Sequence, residues 1–207
     1  MSAKDQGWHF YNTAYLMDSA GEIVDRYDKI HLVLFSEWIP LKHTLKFLRV
    51  LVPGDFGTLQ PGARNVVFQT GGRKFGVAIC YEDTYARRMR AIKNAGADFA
   101  LNITNDAWFR ASEELEQHLA ISVFRAVESR IGVFRCGNTG LTGVVDPTGR
   151  IVSTAPRDEE ATFAARVRWC STPSVYARRG DLFAWACILA GLGGILGLRK
   201  GWAKASS

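Results

Sequence analysis

Apolar and polar positions alternate along the first third of this chain as they do in paired strands. YNTAYLMD (11–18) and IVDRYDKIHL (23–32) flank SAGE, so they predict two strands around a turn. NVVFQTGGRKFGVAICYE (65–82) predicts a hairpin turning at Gly71 and Gly72, its second strand ending at Cys80. The period then changes. TYARRMRAIKNAGA (84–97) predicts a helix closed by Gly96, and DFALNITND (98–106) a further buried strand. SEELEQHLAISVFRAVESRIG (112–132) has helical spacing, with Ser112 as a cap and Glu113 and Glu114 in the first turn. VFRCGNTGLTGVVDPTGRIV (133–152) returns to strands around DPTG. Strand, helix, strand, helix and hairpin together predict a layered α/β domain in which the Cys80 strand feeds directly into a helix.

A different pattern closes the chain. Leu182 to Leu198 carries no charge over about 17 residues, roughly 25 Å as a helix against a hydrocarbon core of roughly 30 Å. Trp185 and Trp202 are placed for the two interfaces, and Arg199, Lys200 and Lys204 for a cytoplasmic anchor. The run therefore predicts one C-terminal transmembrane helix, the alternative being a buried core helix. Residues before Asp181 are then expected on the outer side of the membrane. MSAKDQGWHFYNTAYL lacks the basic start and apolar core of a signal peptide, which suggests that upstream sequence is missing.

Composition narrows the function. The chain has 207 residues, 47% hydrophobic, which is enough to bury a core and argues against disorder. Lys and Arg (26) exceed Asp and Glu (20), a net charge of +6 that suits an anionic surface. No zinc spacing or aromatic-interleaved basic groove points to nucleic acid, so lipid headgroups are the favoured partner. Neither a CxxC pair among the four cysteines nor an HxxxH or HExxH pattern among the four histidines points to a metal.

The candidate chemistry sits in GVAICYEDTYARR (76–88) and RYDKIHLVLFSEWIP (26–40). A cysteine where a buried strand becomes a helix can aim its sulfur at a cleft, yet Cys80 can equally be an inert packing residue. Lys29 lies between Asp28 and the apolar run Ile30 to Phe35, as a desolvated cation or as an ordinary strand-end lysine. Glu37, flanked by Phe35, Trp38, Ile39 and Pro40, needs a partner, and Lys29 or a backbone amide is the economical one.

Taken together, YDKIHLVLFSEWIP, GVAICYED, NITNDAWF and FRCGNTGLTGVVDPTG resemble the nitrilase superfamily of Cys–Glu–Lys enzymes, and within it the apolipoprotein N-acyltransferase branch. The resemblance spans about residues 10 to 155 and continues into the C-terminal apolar run. It implies an α-β-β-α sandwich, here N-terminally incomplete, over residues 1–175, with the transmembrane helix at 176–200 and a cytoplasmic tail at 201–207. It makes Cys80 the nucleophile and Lys29 the cation for the oxyanion, with Glu37 supporting and Tyr81 and Glu82 shaping the site. The implied reaction transfers an acyl chain from a phospholipid, through a Cys80 thioester, to the α-amino group of a diacylated apolipoprotein. No cofactor is required, and the implied place is the extracytoplasmic side of a bacterial plasma membrane.

The same resemblance puts a general-base glutamate on an early strand ahead of FYNTAYLMD, so this chain is expected to lack it. Ser36 and Arg110 stand where glycines are usual, which bears on loop geometry. Asn102, Asn105, Asp106 and Trp108 read either as a loop framing the site or as simple turn chemistry, and His118 as capping or packing on its helix. TLKFLRVLVPGDFG (44–57) is either a bilayer-facing segment or packed on the domain. Two rival functions remain: a hydrolase of small amides or nitriles, and an inactive remnant that only binds a lipid or partner.

Overall fold

The computed structural model describes residues 9–38, 59–107, 112–157 and 159–205, with side chains as far as Leu196. β1 (Thr13–Met17) and β2 (Ile23–Asp28) form the first expected hairpin, with Ala14 opposite Tyr27. Its turn is held by Asp18, whose carboxylate accepts the N–H groups of Ala20 and Glu22, both at 2.9 Å.

Six strands form the main sheet in chain order: β3 (Val67–Thr70), β4 (Arg73–Ile79), β5 (Phe99–Thr104), β6 (Gly132–Gly137), β7 (Gly143–Val145) and β8 (Ile151–Thr154). The central β4, β5 and β6 are parallel, and the outer pairs are antiparallel. Parallel neighbours need crossovers, and α1 (Ala86–Asn94) and α2 (Glu114–Ser129) supply them. Ser112 precedes the start of α2, where its Oγ accepts the Glu114 N–H at 3.4 Å.

The side-chain period of β5 separates two cores. Ala100 points to the helices, where Met89, Ile92, Leu119 and Ala126 close over it with Val133 and Val145. Phe99, Leu101 and Ile103 point the other way, onto a cluster built by Phe68, Phe75, Val77 and Ile79 with Ala14 and Tyr27 of the hairpin. Of the expected α-β-β-α sandwich, the described residues thus supply three layers, the second sheet being represented by β1 and β2 alone.

A short helix, α3 (Val175–Arg179), comes next and is docked on α1: the Ala177 carbonyl accepts from Arg90 Nε at 2.9 Å and from Asn94 Nδ2 at 3.0 Å. Gly180, at φ 64°, turns the chain into α4 (Leu182–Ala205). The apolar side chains of α4 lie in the open, Phe183 at 82% exposure and Leu189 at 67%. Among the described residues no helix is long and apolar enough to cross a membrane. The structure therefore supplies a helix at the charge-free run and not the bilayer span expected there.

Candidate active site

β4 is buried from Phe75 to Ile79 and ends where Cys80 opens a short 3-10 helix, Cys80–Thr84. Cys80 is half-buried, at φ 54°. A left-handed backbone costs a side-chain-bearing residue about 1 kcal/mol and persists where the surroundings over-determine it. Several bonds do so here. The Ile79 N–H donates to Glu82 at 2.9 Å, and the Cys80 carbonyl accepts from Asn102 Nδ2 at 2.9 Å.

Glu82 is fully buried, and its carboxylate is saturated with donors. Besides Ile79 it accepts from Tyr27 Oη at 2.8 Å and from the N–H groups of Ile30 and His31, both at 2.9 Å. It thereby stitches the end of β2 to the turn that carries Cys80. Burial, then the Glu82 charge, pushes the Tyr27 phenol far up, so it remains a donor. Lys29 lies in this stitched segment with no exposed surface, its Nζ 3.0 Å from Glu37 Oε1 and 2.8 Å from Oε2. Glu37 also accepts from Asn12 Nδ2 at 3.1 Å and the Val33 N–H at 2.9 Å. The left-handed residue of its loop is Phe35, at φ 64°, so Ser36 does not need glycine's freedom.

Behind the cysteine lies a second, wholly buried group of charges: Asp83, Asp106, His118 and Arg135. Arg135 donates from Nη1 to Asp83 Oδ2 and Asn102 Oδ1, both at 3.0 Å, and from Nε to the Leu141 carbonyl at 3.1 Å. Its Nη2 reaches Asp106 Oδ2 at 2.6 Å and His118 Nδ1 at 2.7 Å. In the neutral imidazole a bond from Arg135 to Nδ1 places the proton on Nε2, 2.7 Å from Asp83 Oδ1, whereas in the charged ring Nδ1–H faces Asp106 Oδ1 at 3.3 Å. Burial opposes a charged imidazole, but hydrogen bonds to Asp106 and Asp83 outweigh it and raise the His118 pKa. Burial likewise pushes the Asp106 carboxyl up, and the bonds from His118 and Thr104 with the Arg135 charge bring it down to about 2.

Sequence reasoning missed Asp83 and Arg135. The available signal was an arginine at position 135 on the inward face of β6, in register with the buried Val133. His118 neither caps nor merely packs; it joins this network. Tyr81 stacks on the His118 ring, centroids 4.8 Å apart, and donates its hydroxyl to Glu114. Its phenol is also pushed up, by burial and then by Glu114. The framing loop is corrected in part. Asn102 is a buried strand residue and Asp106 a buried network member, whereas Asn105 is exposed and makes an ordinary turn, accepting the Ala107 N–H at 3.2 Å. Trp108, Arg110 and the 44–57 segment lie outside the described residues. Among the described residues no group of three or more His, Cys, Asp or Glu is disposed to hold a metal.

The chain is 41% identical over 179 residues to "Apolipoprotein N-acyltransferase" of Geobacter metallireducens, covering 86% of this chain and 34% of that one. It is 38% identical over 182 residues to "Apolipoprotein N-acyltransferase 2" of Treponema denticola, covering 84% and 33%. It thus spans about a third of the length of these curated relatives. Among solved structures, a carbon-nitrogen hydrolase from Helicobacter pylori matches with a TM-score of 0.57 at 17% identity, over 77% of this chain and 56% of that one. An amidase from Nesterenkonia sp. AN1 matches with a TM-score of 0.52 at 24% identity, over 69% and 52%. These likenesses show the fold. Residues 1–171 match the Carbon-nitrogen hydrolase family, and the chain belongs to it.

Proposed function

We propose that this chain carries the thiol half of an apolipoprotein N-acyltransferase. The observation that carries the reading is Cys80 itself, held left-handed at the end of β4 and stitched by Glu82 to the segment bearing the buried Lys29 and its partner Glu37. In this reading the Cys80 thiolate attacks a phospholipid ester carbonyl, and Lys29 balances the charge on the tetrahedral oxygen. Collapse expels the lysophospholipid alkoxide, which takes a proton, and leaves a thioester on Cys80. The α-amino group of a diacylglyceryl-cysteine then attacks the thioester, the thiolate departs and takes the proton the amine gives up, and an amide forms. Glu37 and Glu82 are occupied by their own donors, so the proton that the Cys80 thiol gives up is the one the departing alkoxide takes. Tyr81 and Glu82 hold the shape of the nucleophile's turn.

The same reading sets α4 against a bacterial plasma membrane as an apolar anchor, with the catalytic domain on the extracytoplasmic side. Its support is the exposed apolar surface of α4, the arginines 178 and 179 at its base, and the names of the relatives.

The test is the intact mass of the protein after incubation with phosphatidylethanolamine vesicles. Wild type should gain one acyl chain, labile to hydroxylamine, and Cys80→Ala should gain none. An adduct that survives Cys80→Ala would sink the reading. No adduct, but release of ammonia from small amides, would identify a small-substrate hydrolase instead.

A further inference from the structure

We propose that Asn102 is a positioning residue for Cys80: locked by Arg135, its amide fixes the Cys80 carbonyl and so the left-handed backbone that presents the thiol. β4 and β5 pair in parallel, and their last pair is Ile79 with Ile103. At Cys80 the strand becomes a 3-10 helix, so the carbonyl there turns to a side chain, and Asn102 Nδ2 donates to it at 2.9 Å.

The orientation of that amide is set by chemistry. Asn102 has no exposed surface; its Oδ1 faces Arg135 Nη1 at 3.0 Å, and its Nδ2 faces the Ala78 and Cys80 carbonyls at 3.4 and 2.9 Å. Flipping the amide would set oxygen against two carbonyls and N–H against a guanidinium, so only one orientation satisfies every group. Position 102 shares the helix-facing side of β5 with Ala100, where an apolar residue would pack without any polar partner. Arg135 is itself fixed by Asp83 and Asp106, so a continuous chain of bonds runs from β6 through β5 to the residue that ends β4. Without it the Cys80 carbonyl loses its side-chain donor from β5, and relaxation from φ 54° to a negative φ swings Cα–Cβ away from its present direction.

This inference rests on Cys80 being the nucleophile, and the experiment separates the two claims. The full chain is acylated with p-nitrophenyl acetate, tracking p-nitrophenolate release and the Cys80 peptide mass, while iodoacetamide labelling of Cys80 and of the exposed Cys136 reports thiol access and folding. Asn102→Ala removes the amide. Asn102→Asp keeps its shape and the bond to Arg135 but lacks the donor, and carries the test if the first variant does not fold. Acylation of Cys80 should fall at least about tenfold in kcat with KM unchanged, because it needs the aligned thiol. Iodoacetamide labelling of both cysteines should stay near wild type at a pH where thiols are ionised. Acylation at the wild-type rate in either folded variant overturns the proposal, whereas a wild-type chain never acylated on Cys80 overturns the nucleophile assignment beneath it.

Discussion

Four N–H groups of Arg135 each meet an oxygen acceptor, and this is why two carboxylates and an imidazole can be buried side by side behind Cys80. The arrangement makes stability depend on pH in a direction that can be worked out. Asp106 is held at about 2 in the folded protein against an ordinary 3.8, so its contribution is complete above pH 4 and is lost as pH falls through 2. The shift corresponds to about 2 kcal/mol. In urea titrations, the stability gap between wild type and Asp106→Asn should therefore narrow steadily from pH 4 to pH 2; a gap independent of pH would show that the carboxylate is not held this way. His118 carries the opposite sign. Its pKa is raised, so its contribution is complete below 6.5 and is lost as pH rises through the folded value.

At the scale of elements, the approach of α1 to the sheet is set by Gly76. A Cβ there would lie 2.6 Å from Ile92 Cγ2 and 2.8 Å from Cγ1, inside any real contact. Gly76→Ala should cost roughly 1–3 kcal/mol by forcing α1 off β4, and Ile92→Ala in the same chain should recover part of that loss rather than add to it. Thermal midpoints of the two single variants and the double variant decide it; simple additivity would mean that the helix is spaced by something else. The elements themselves were legible because each rests on local pattern: alternation for both hairpins, φ values of 54° and 75° at the glycines 71 and 72 for one turn, and helical spacing for α1 and α2. The Lys29–Glu37 pairing was legible for a related reason, since the two residues are only eight apart and a carboxylate among apolar neighbours needs a partner. The buried network was not. Arg135 finds Asp83 across 52 residues and Asp106 across 29, and no local period marks partners that only the parallel sheet brings together. The strand through Asn102 was legible in DFALNITND, but its tie to Arg135 across 33 residues was not, so its side chain read as loop or turn chemistry.

On the scale of the molecule, the packed body closes at α3. Ala177 is fully buried, its carbonyl is taken by Arg90 and Asn94, and the two core clusters contain no residue beyond it. Gly180 then directs α4 away, and this helix presents apolar surface without a protein neighbour among the described residues: Phe183, Trp185, Leu189, Leu192 and Ile195 are all more than half exposed. Each such side chain transferred from water into lipid contributes about 1.5–3 kcal/mol, so several together outweigh the loss of freedom on binding. Cutting the chain after Gly180 should consequently leave the core folded while abolishing association with lipid. In flotation with vesicles of phosphatidylethanolamine and phosphatidylglycerol, the full chain should rise with the lipid even in about 1 M salt, because apolar burial is not screened. The shortened chain should stay at the bottom of the gradient, with thermal unfolding little changed. If the shortened chain still floats and salt releases it, then the arginines on α1 and α3 bind headgroups and α4 is not the anchor.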